Sequence, residues 1–301
     1  MDSPMGAMLR PMIENMSSQI RNASIGHEVK GVAAVSEPAA GSSAPTIAGM
    51  TATSARLTLQ RKAEDAAVNP VVMTKSNPGV IKKLIEFDPM VSSQATTIEN
   101  DFALLLESYN RLKEQPEKVF PVLDLFRLFV THHSDQVSQV VEHVLVDAIQ
   151  RFAAPSNAKF KASRMMTLRL CVNVVSTGFV LDYPKDCSLD FETLMSHIVD
   201  AIGDSFVNIE AGALCHENSA LLAQSIAGIP YRKSSNGSSV QLSEDITTRL
   251  VACCGERLMG LKYDKEHGPE IEHLLTAMGW LVAHDDHAKL IAETIEINVA
   301  K

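Results

Sequence analysis

Three stretches of this chain are apolar nearly all the way round a helix, and they recur at a fixed spacing. They centre near residues 125, 170 and 216, about 45 residues apart. A helix without a polar face must be covered on both sides. A repeat of that length lies in the ~40–47-residue range of armadillo and HEAT units. A fourth such stretch centres near 277, displaced by a loop-like segment at 228–239, "GIPYRKSSNGSS". More amphipathic helices fill the intervals, and no alternating strand pattern bounded by hairpin turns occurs. The chain therefore reads as all-α, an α-solenoid in which each unit covers its neighbour and the inner helices line a concave face.

The N-terminal quarter is different. Residues 31–55 are rich in Ala, Ser, Gly and Pro with no large apolar period. Such a segment cannot bury enough to offset its ordering entropy, so 31–72 reads as a flexible linker and the extension as mostly disordered. Within 1–30, Met1, Met5, Met8, Leu9, Met12, Ile13, Met16 and Ile20 follow helical spacing. They make a candidate amphipathic, Met-rich helix for a second protein partner. Asp2 and Glu14 count against an organelle transit peptide. The helical array then occupies 73–301. "NPGVIKKLIEFDP" opens on a candidate Asn cap at Asn77 and stops before Pro89. Thr96 and Glu99 have capping-box spacing ahead of the next helix.

The formal charge is −9. Residues 1–72 are neutral, so the excess falls on 73–301, which argues against nucleic acid as a partner. No window reaches the ~18 apolar residues of a membrane span, and no secretory leader is legible, so a cytoplasmic protein, with the nucleus as second compartment, is expected. The cysteines at 171, 187, 215, 253 and 254 have no framework spacing and read as free thiols.

Catalysis finds no support. Cys215 and His216 are adjacent and so point ~100° apart on a helix, which rules out a dyad. His284 and His287 in "HDDH" have i,i+3 spacing but no identifiable further ligand. No phosphate loop, G-x-S-x-G or H-E-x-x-H is present. No enzyme activity, no metal and no cofactor are expected.

The apolar run "FPVLDLFRLFV" at 120–130 carries two opposite charges, Asp124 and Arg127. Three apart on a helix, they can bridge locally. Either they form a surface ion pair, or Asp124 holds Arg127 toward the groove with donors left for a ligand carboxylate. Asn173 and Asn218 lie one repeat apart. An Asn on an inner helix can clamp an extended peptide, donating to a backbone C=O and accepting from an N–H. It can equally satisfy its own core.

"FPVLDLFRLFVTHHS", "MTLRLCVNVV", "NIEAGALCHENSALL" and "EHLLTAMGWLVAHDD", in that order, resemble the PUL domain family over 73–301. The resemblance implies an armadillo-like solenoid of about six helical repeats. It also implies a non-enzymatic adaptor that binds the acidic C-terminal tail of a AAA+ segregase of the valosin-containing protein type, in ubiquitin-dependent turnover. By position, Arg127, Asn173, Asn218 and His273 become peptide-binding residues, with Asp124 and Arg169 in support. His273 stands where the family carries Arg. A neutral imidazole gives less to an acidic ligand than a guanidinium does. No WD repeat, thioredoxin Cys-x-x-Cys or peptidase constellation precedes residue 73. The alternative is a helical-repeat scaffold with no acidic-tail recognition. The two differ in whether the groove carries a positive focus.

Overall fold

A computed structural model describes residues 70–75, 77–154, 158–261 and 267–294. All of these belong to one compact unit, Ala63–Lys301. The Met-rich helix expected in 1–30, and the linker up to residue 69, lie outside the described residues. So does the side chain of His284.

Every regular element among the described residues is helical. In chain order they are α1 (Val80–Phe87), α2 (Phe102–Leu112) and α3 (Phe120–His132). Next comes α4, a continuous helix in which α turns (Val137–Val140, Val146–Ala148) alternate with π turns (Val141–Leu145, Ile149–Ala153). Then follow α5 (Lys161–Ser176), α6 (Phe191–Val207) and α7 (Ala213–Ala227). The array closes with α8 (Glu244–Gly260), α9 (Gly268–His284) and α10 (Asp286–Thr294).

The helices stack in two rows. One row is α3 on α5 on α7 on α9; the other is α4, α6, α8 and α10. Cross-contacts between α4 and α5, α6 and α7, and α8 and α9 tie the rows together. The first row consists of the four stretches that are apolar all round, and the pattern explains itself: each helix there has neighbours on both sides. In α3, Leu123, Leu125, Phe126, Phe129 and Val130 are all fully buried. The second row is amphipathic and leaves one face to water, as its spacing demands. The result is the expected armadillo-like α-solenoid.

Local signals set most of the boundaries. Asp190 caps α6 by accepting from the Thr193 N–H at 2.8 Å, and Ser243 caps α8 from the Ile246 N–H at 3.3 Å. Such caps contribute about 1 kcal/mol each. Pro121 sits in the first turn of α3, where its missing N–H costs nothing. Two expected caps differ. The Thr96–Glu99 box is not used: the chain makes a 3-10 turn at Ile98–Asn100 that buries Ile98, and Asp101 caps α2 instead, accepting from the Leu104 N–H at 3.1 Å. The N-cap of α1 is Gly79 at φ +76°, a conformation that favours glycine. Asn77 is thereby released for another contact, described below.

One close packing fixes the end of the first row. A Cβ on Gly228 would meet the Trp280 ring at 2.9 Å, so the absence of a side chain at 228 is what admits the indole. Tyr231 rests beside that ring at a centroid distance of 5.8 Å and donates from its hydroxyl to the Trp280 carbonyl at 2.9 Å.

Candidate functional site

Asp124 and Arg127 face inward on α3. Asp124 is 0 % and Arg127 2 % exposed, and Arg127 Nη2 lies 2.7 Å from Asp124 Oδ1. The pair is a buried bridge, and the surface ion-pair reading falls away. Nε also donates to Asp124 Oδ1 at 2.8 Å. The remaining donors go to the chain itself: Nη1 to the Met73 carbonyl and Nη2 to the Lys75 carbonyl at 2.6 Å. The guanidinium thus has its charge met by Asp124 and its outer edge covered by backbone. The donors expected to remain for a ligand carboxylate are engaged, because an arginine buried this deeply must satisfy its N–H groups internally.

Asn173, on α5, performs the clamp that its amide allows, and performs it on this same segment. Its Oδ1 accepts the Met73 N–H at 2.8 Å, and its Nδ2 donates to the Met73 carbonyl at 3.0 Å. Nδ2 also donates to the Arg127 carbonyl at 2.8 Å, joining α5 to α3. Asn77 completes the arrangement: its backbone N–H and its Nδ2 both donate to Asp124 Oδ2, at 3.1 and 2.8 Å. At its other end the segment reaches α7 and α9, where Pro70 and Val71 line a small recess with Leu221, Gln224 and Trp280. Residues 70–75 and 77 therefore reach all four helices of the first row. Sequence reasoning missed this segment, since Met73, Lys75 and Asn77 offer mostly main-chain groups that leave no pattern in side-chain types.

Arg169 and Asn218 form a second pair, away from the first. Arg169 Nε donates to Asn218 Oδ1 at 3.2 Å, and the half-buried guanidinium has no acid partner among the described residues. Asn218 Nδ2 is turned to the Leu214 carbonyl of its own helix. Leu214 itself is 54 % exposed, an apolar side chain left in water beside this pair. Lys161, Arg164 and Arg169 all stand on α5, which carries no acid. The three meet around Cys215 in the first turn of α7: burial pushes its thiol up, and Arg164, Lys161 and Arg169 pull it back. The N-terminal end of α7 adds its own partial positive charge there. Gly212, its N-cap at φ +79°, lets Lys161 lie alongside; a Cβ there would stand 3.1 Å from Lys161 Nζ.

Arg164 is the unusual member. It is 0 % exposed, and while Nε donates to the Ala153 carbonyl at 2.9 Å, Nη1 and Nη2 have no partner. Burial holds its pKa below the ordinary arginine value, with Cys215 and Glu210 acting the other way. Arg232 caps the C-terminal end of α5. It donates to the Val175, Ser176 and Thr177 carbonyls at 2.8, 3.1 and 2.8 Å, and burial pushes it down to about 10.

His273 lies apart from both clusters. Its Nδ1 donates to Gln224 Oε1 at 2.6 Å. Burial lowers its pKa from the ordinary imidazole value, while Glu272 and Glu217 act in the opposite sense. The first row thus grades from a neutralised α3, through a cationic α5, to a mildly acidic α9.

The residues considered for catalysis hold structure together. His216 accepts from Arg257 Nη2 at Nδ1 (2.8 Å) and donates from Nε2 to the Asn208 carbonyl (3.2 Å). Arg257 is in turn bridged to the buried Glu270 at 2.6 Å. His287 is paired with Glu244 at 3.2 Å. Among the described residues no group of three or more His, Cys, Asp or Glu is placed to hold a metal ion. Nor is any helix among them long and apolar enough to cross a membrane.

Comparison with known proteins adds one finding. The model of the PUL domain matches residues 45–299, which begins inside the stretch read as linker. No curated protein and no solved structure matches the chain. The match spans most of the sequence and agrees with the all-helical two-row array and with the motifs quoted from 120–130 onward; the chain belongs to the PUL domain family.

Proposed function

We propose that this protein is a non-enzymatic adaptor whose cationic α5 receives an acidic peptide. The PUL domain is a protein-interaction domain. The ligand that the family resemblance implies is the acidic C-terminal tail of a AAA+ segregase of the valosin-containing protein type, in ubiquitin-dependent turnover. The reading is carried by the positive focus at α5 and the first turn of α7. In a chain of net charge −9, Lys161, Arg164 and Arg169 converge with no acid on their helix. Such a focus steers an anionic partner locally although the molecule as a whole repels it. Asn218 and the exposed Leu214 supply the polar and apolar rim beside it.

The scaffold reading has an observation in its favour too: Arg127 and Asn173 are already engaged by Met73 and Lys75. Fluorescence anisotropy with a labelled segregase-tail peptide, at two salt concentrations, separates the two. The adaptor reading expects ~μM binding that weakens with salt. It also expects Arg169→Glu to weaken it at least about tenfold, or ~1.4 kcal/mol. Absence of binding, or indifference to the charge reversal, leaves the scaffold.

A further inference from the structure

In the second row, α6 and α8 pack side by side, and the two ends of that contact differ. The N-terminal halves are stitched together. Arg249 Nη1 donates to Ser196 Oγ at 2.7 Å, Nη2 bridges Asp200, and Ser243 Oγ donates to Glu192. No hydrogen bond or ion pair joins the C-terminal halves, and a cleft of about 370 Å³ lies between them. Gly203, Asp204 and Val207 line it from one face of α6, and Cys253, Glu256 and Gly260 from the facing side of α8.

The charge of this cleft is unbalanced. Helix α6 carries Glu192, Asp200 and Asp204 and no lysine or arginine, the reverse of α5. The cations at the cleft are already matched: Arg249 by Asp200 and Asp245, Arg257 by Glu270. Asp204 and Glu256, one on each wall, have no hydrogen bond or ion pair among the described residues. Burial, with Asp200 close by, raises the Asp204 pKa, as expected of a carboxylate whose charge lacks support. The floor is apolar, with Val199 and Phe206 buried, while Val207 at the rim is 76 % exposed. A Cβ on Gly203 or Gly260 would meet nothing within 4 Å, so these glycines leave space that the protein itself does not fill.

We infer that the cleft between α6 and α8 is a docking site of the second row, and that it takes an arginine flanked by an apolar residue on a basic helical segment of a partner protein. The volume is near the lower end of the ~300–1,000 Å³ of ligand sites, so it admits side chains of such a segment and not the segment whole. A guanidinium fits both walls: its planar fork of donors can meet Asp204 and Glu256 together, while the apolar neighbour covers Val207. An acidic peptide is repelled by the same walls. The cleft and the cationic α5 focus therefore sort partners by charge, and the inference does not rest on the acidic-tail reading.

The test uses the full chain and a fluorescein-labelled amphipathic peptide of leucine and arginine, about four helical turns long. The wild-type chain is expected to bind it in anisotropy titrations. Asp204→Asn combined with Glu256→Gln should weaken binding at least about tenfold. Glu99→Gln combined with Asp135→Asn, both exposed on other elements, removes as much charge and should cost less than about twofold. Gly203→Leu, which fills the cleft from a position with open space, should also weaken binding at least about tenfold at an unchanged melting temperature. One readout needs no variant. Bound peptide should slow alkylation of Cys253 by N-ethylmaleimide several-fold, measured by mass spectrometry, and leave Cys187 unaffected. Absence of binding, equal loss from the two acid pairs, indifference to Gly203→Leu, or an unprotected Cys253 overturns the proposal. So does equal protection of Cys253 by arginine methyl ester at the same concentration, which would make the cleft a small-molecule site.

Discussion

Arg127 on α3 and Arg169 on α5 are the same residue type on neighbouring helices of one row, and they do different work. Arg127 is sealed in, balanced by Asp124 and covered by the carbonyls of Met73 and Lys75. Arg169 keeps a neutral Asn218 for company and is left half in water. A guanidinium attracts a ligand to the degree that its charge is unmatched and its donors are free. By that measure Arg127 organises the fold, and Arg169 is the one with charge to spare for the acidic peptide proposed above. The contrast shows why a net charge or a list of cations is a poor guide to a binding surface: position relative to acids decides.

The largest expected effect breaks the contrast from the α3 side. Asp124→Ala leaves Arg127 buried without its counter-charge and strips two bonds from Asn77. Removing one partner of a buried pair costs about 3–5 kcal/mol. Arg169→Ala, exposed by comparison, should stay within about 0.5 kcal/mol of wild type. Urea unfolding of the two variants measures both, and a mild Asp124→Ala would mean that the pair is not sealed as described. Next comes Arg164→Met. Its guanidinium is buried with two unpartnered nitrogens, so an apolar chain of similar length should leave thermal stability unchanged or raised. The positive focus weakens, and affinity for the acidic peptide should fall about threefold, ~0.6 kcal/mol by affinity arithmetic. A collapse in stability would instead make Arg164 a structural cation like Arg127.

The smallest effect concerns His273. Burial first of all sets its pKa below the usual imidazole value. A proton is therefore taken up more readily by the unfolded chain than by the folded one, and the stability this residue supports is present above about pH 6.5 and lost as pH falls through its lowered folded value. Between about pH 7.5 and 6 the folded imidazole gains little charge. The acidic-peptide affinity should accordingly stay flat across that range in anisotropy titrations at constant salt. A rise of several-fold toward pH 6 would place a protonated His273 in the site.

Much of this fold was legible from residues. Helices without a polar face had to be flanked on both sides, and α3, α5, α7 and α9 are the flanked row. The amide at Asn173 was read either as a clamp on a peptide ligand or as a group that satisfies its own core, and the bonds it makes are to the chain's own Met73 and Arg127. What it clamps was not legible. Met73, Thr74 and Lys75 give no period, and the bonds that hold them are largely main-chain bonds, which every residue could make. Asp124 and Arg127 could be seen to be three apart. Their saturation by residues some fifty positions upstream could not, because no side-chain pattern ties the two stretches together. Asn77 misled for a related reason: an Asn ahead of a helix reads as a cap, yet Gly79 supplies the turn and the Asn amide goes to a carboxylate across the row.

The hole that Gly228 leaves for Trp280 has a practical consequence. This indole is the one tryptophan of the chain, and it lies at the end of the row where Pro70 and Val71 cover it. The molecule thus carries an intrinsic optical reporter beside the recess that Pro70 and Val71 line. Release of Pro70 and Val71 would admit water to the ring and shift its emission to the red, so the attachment of this segment can be followed in unlabelled protein by exciting a single chromophore.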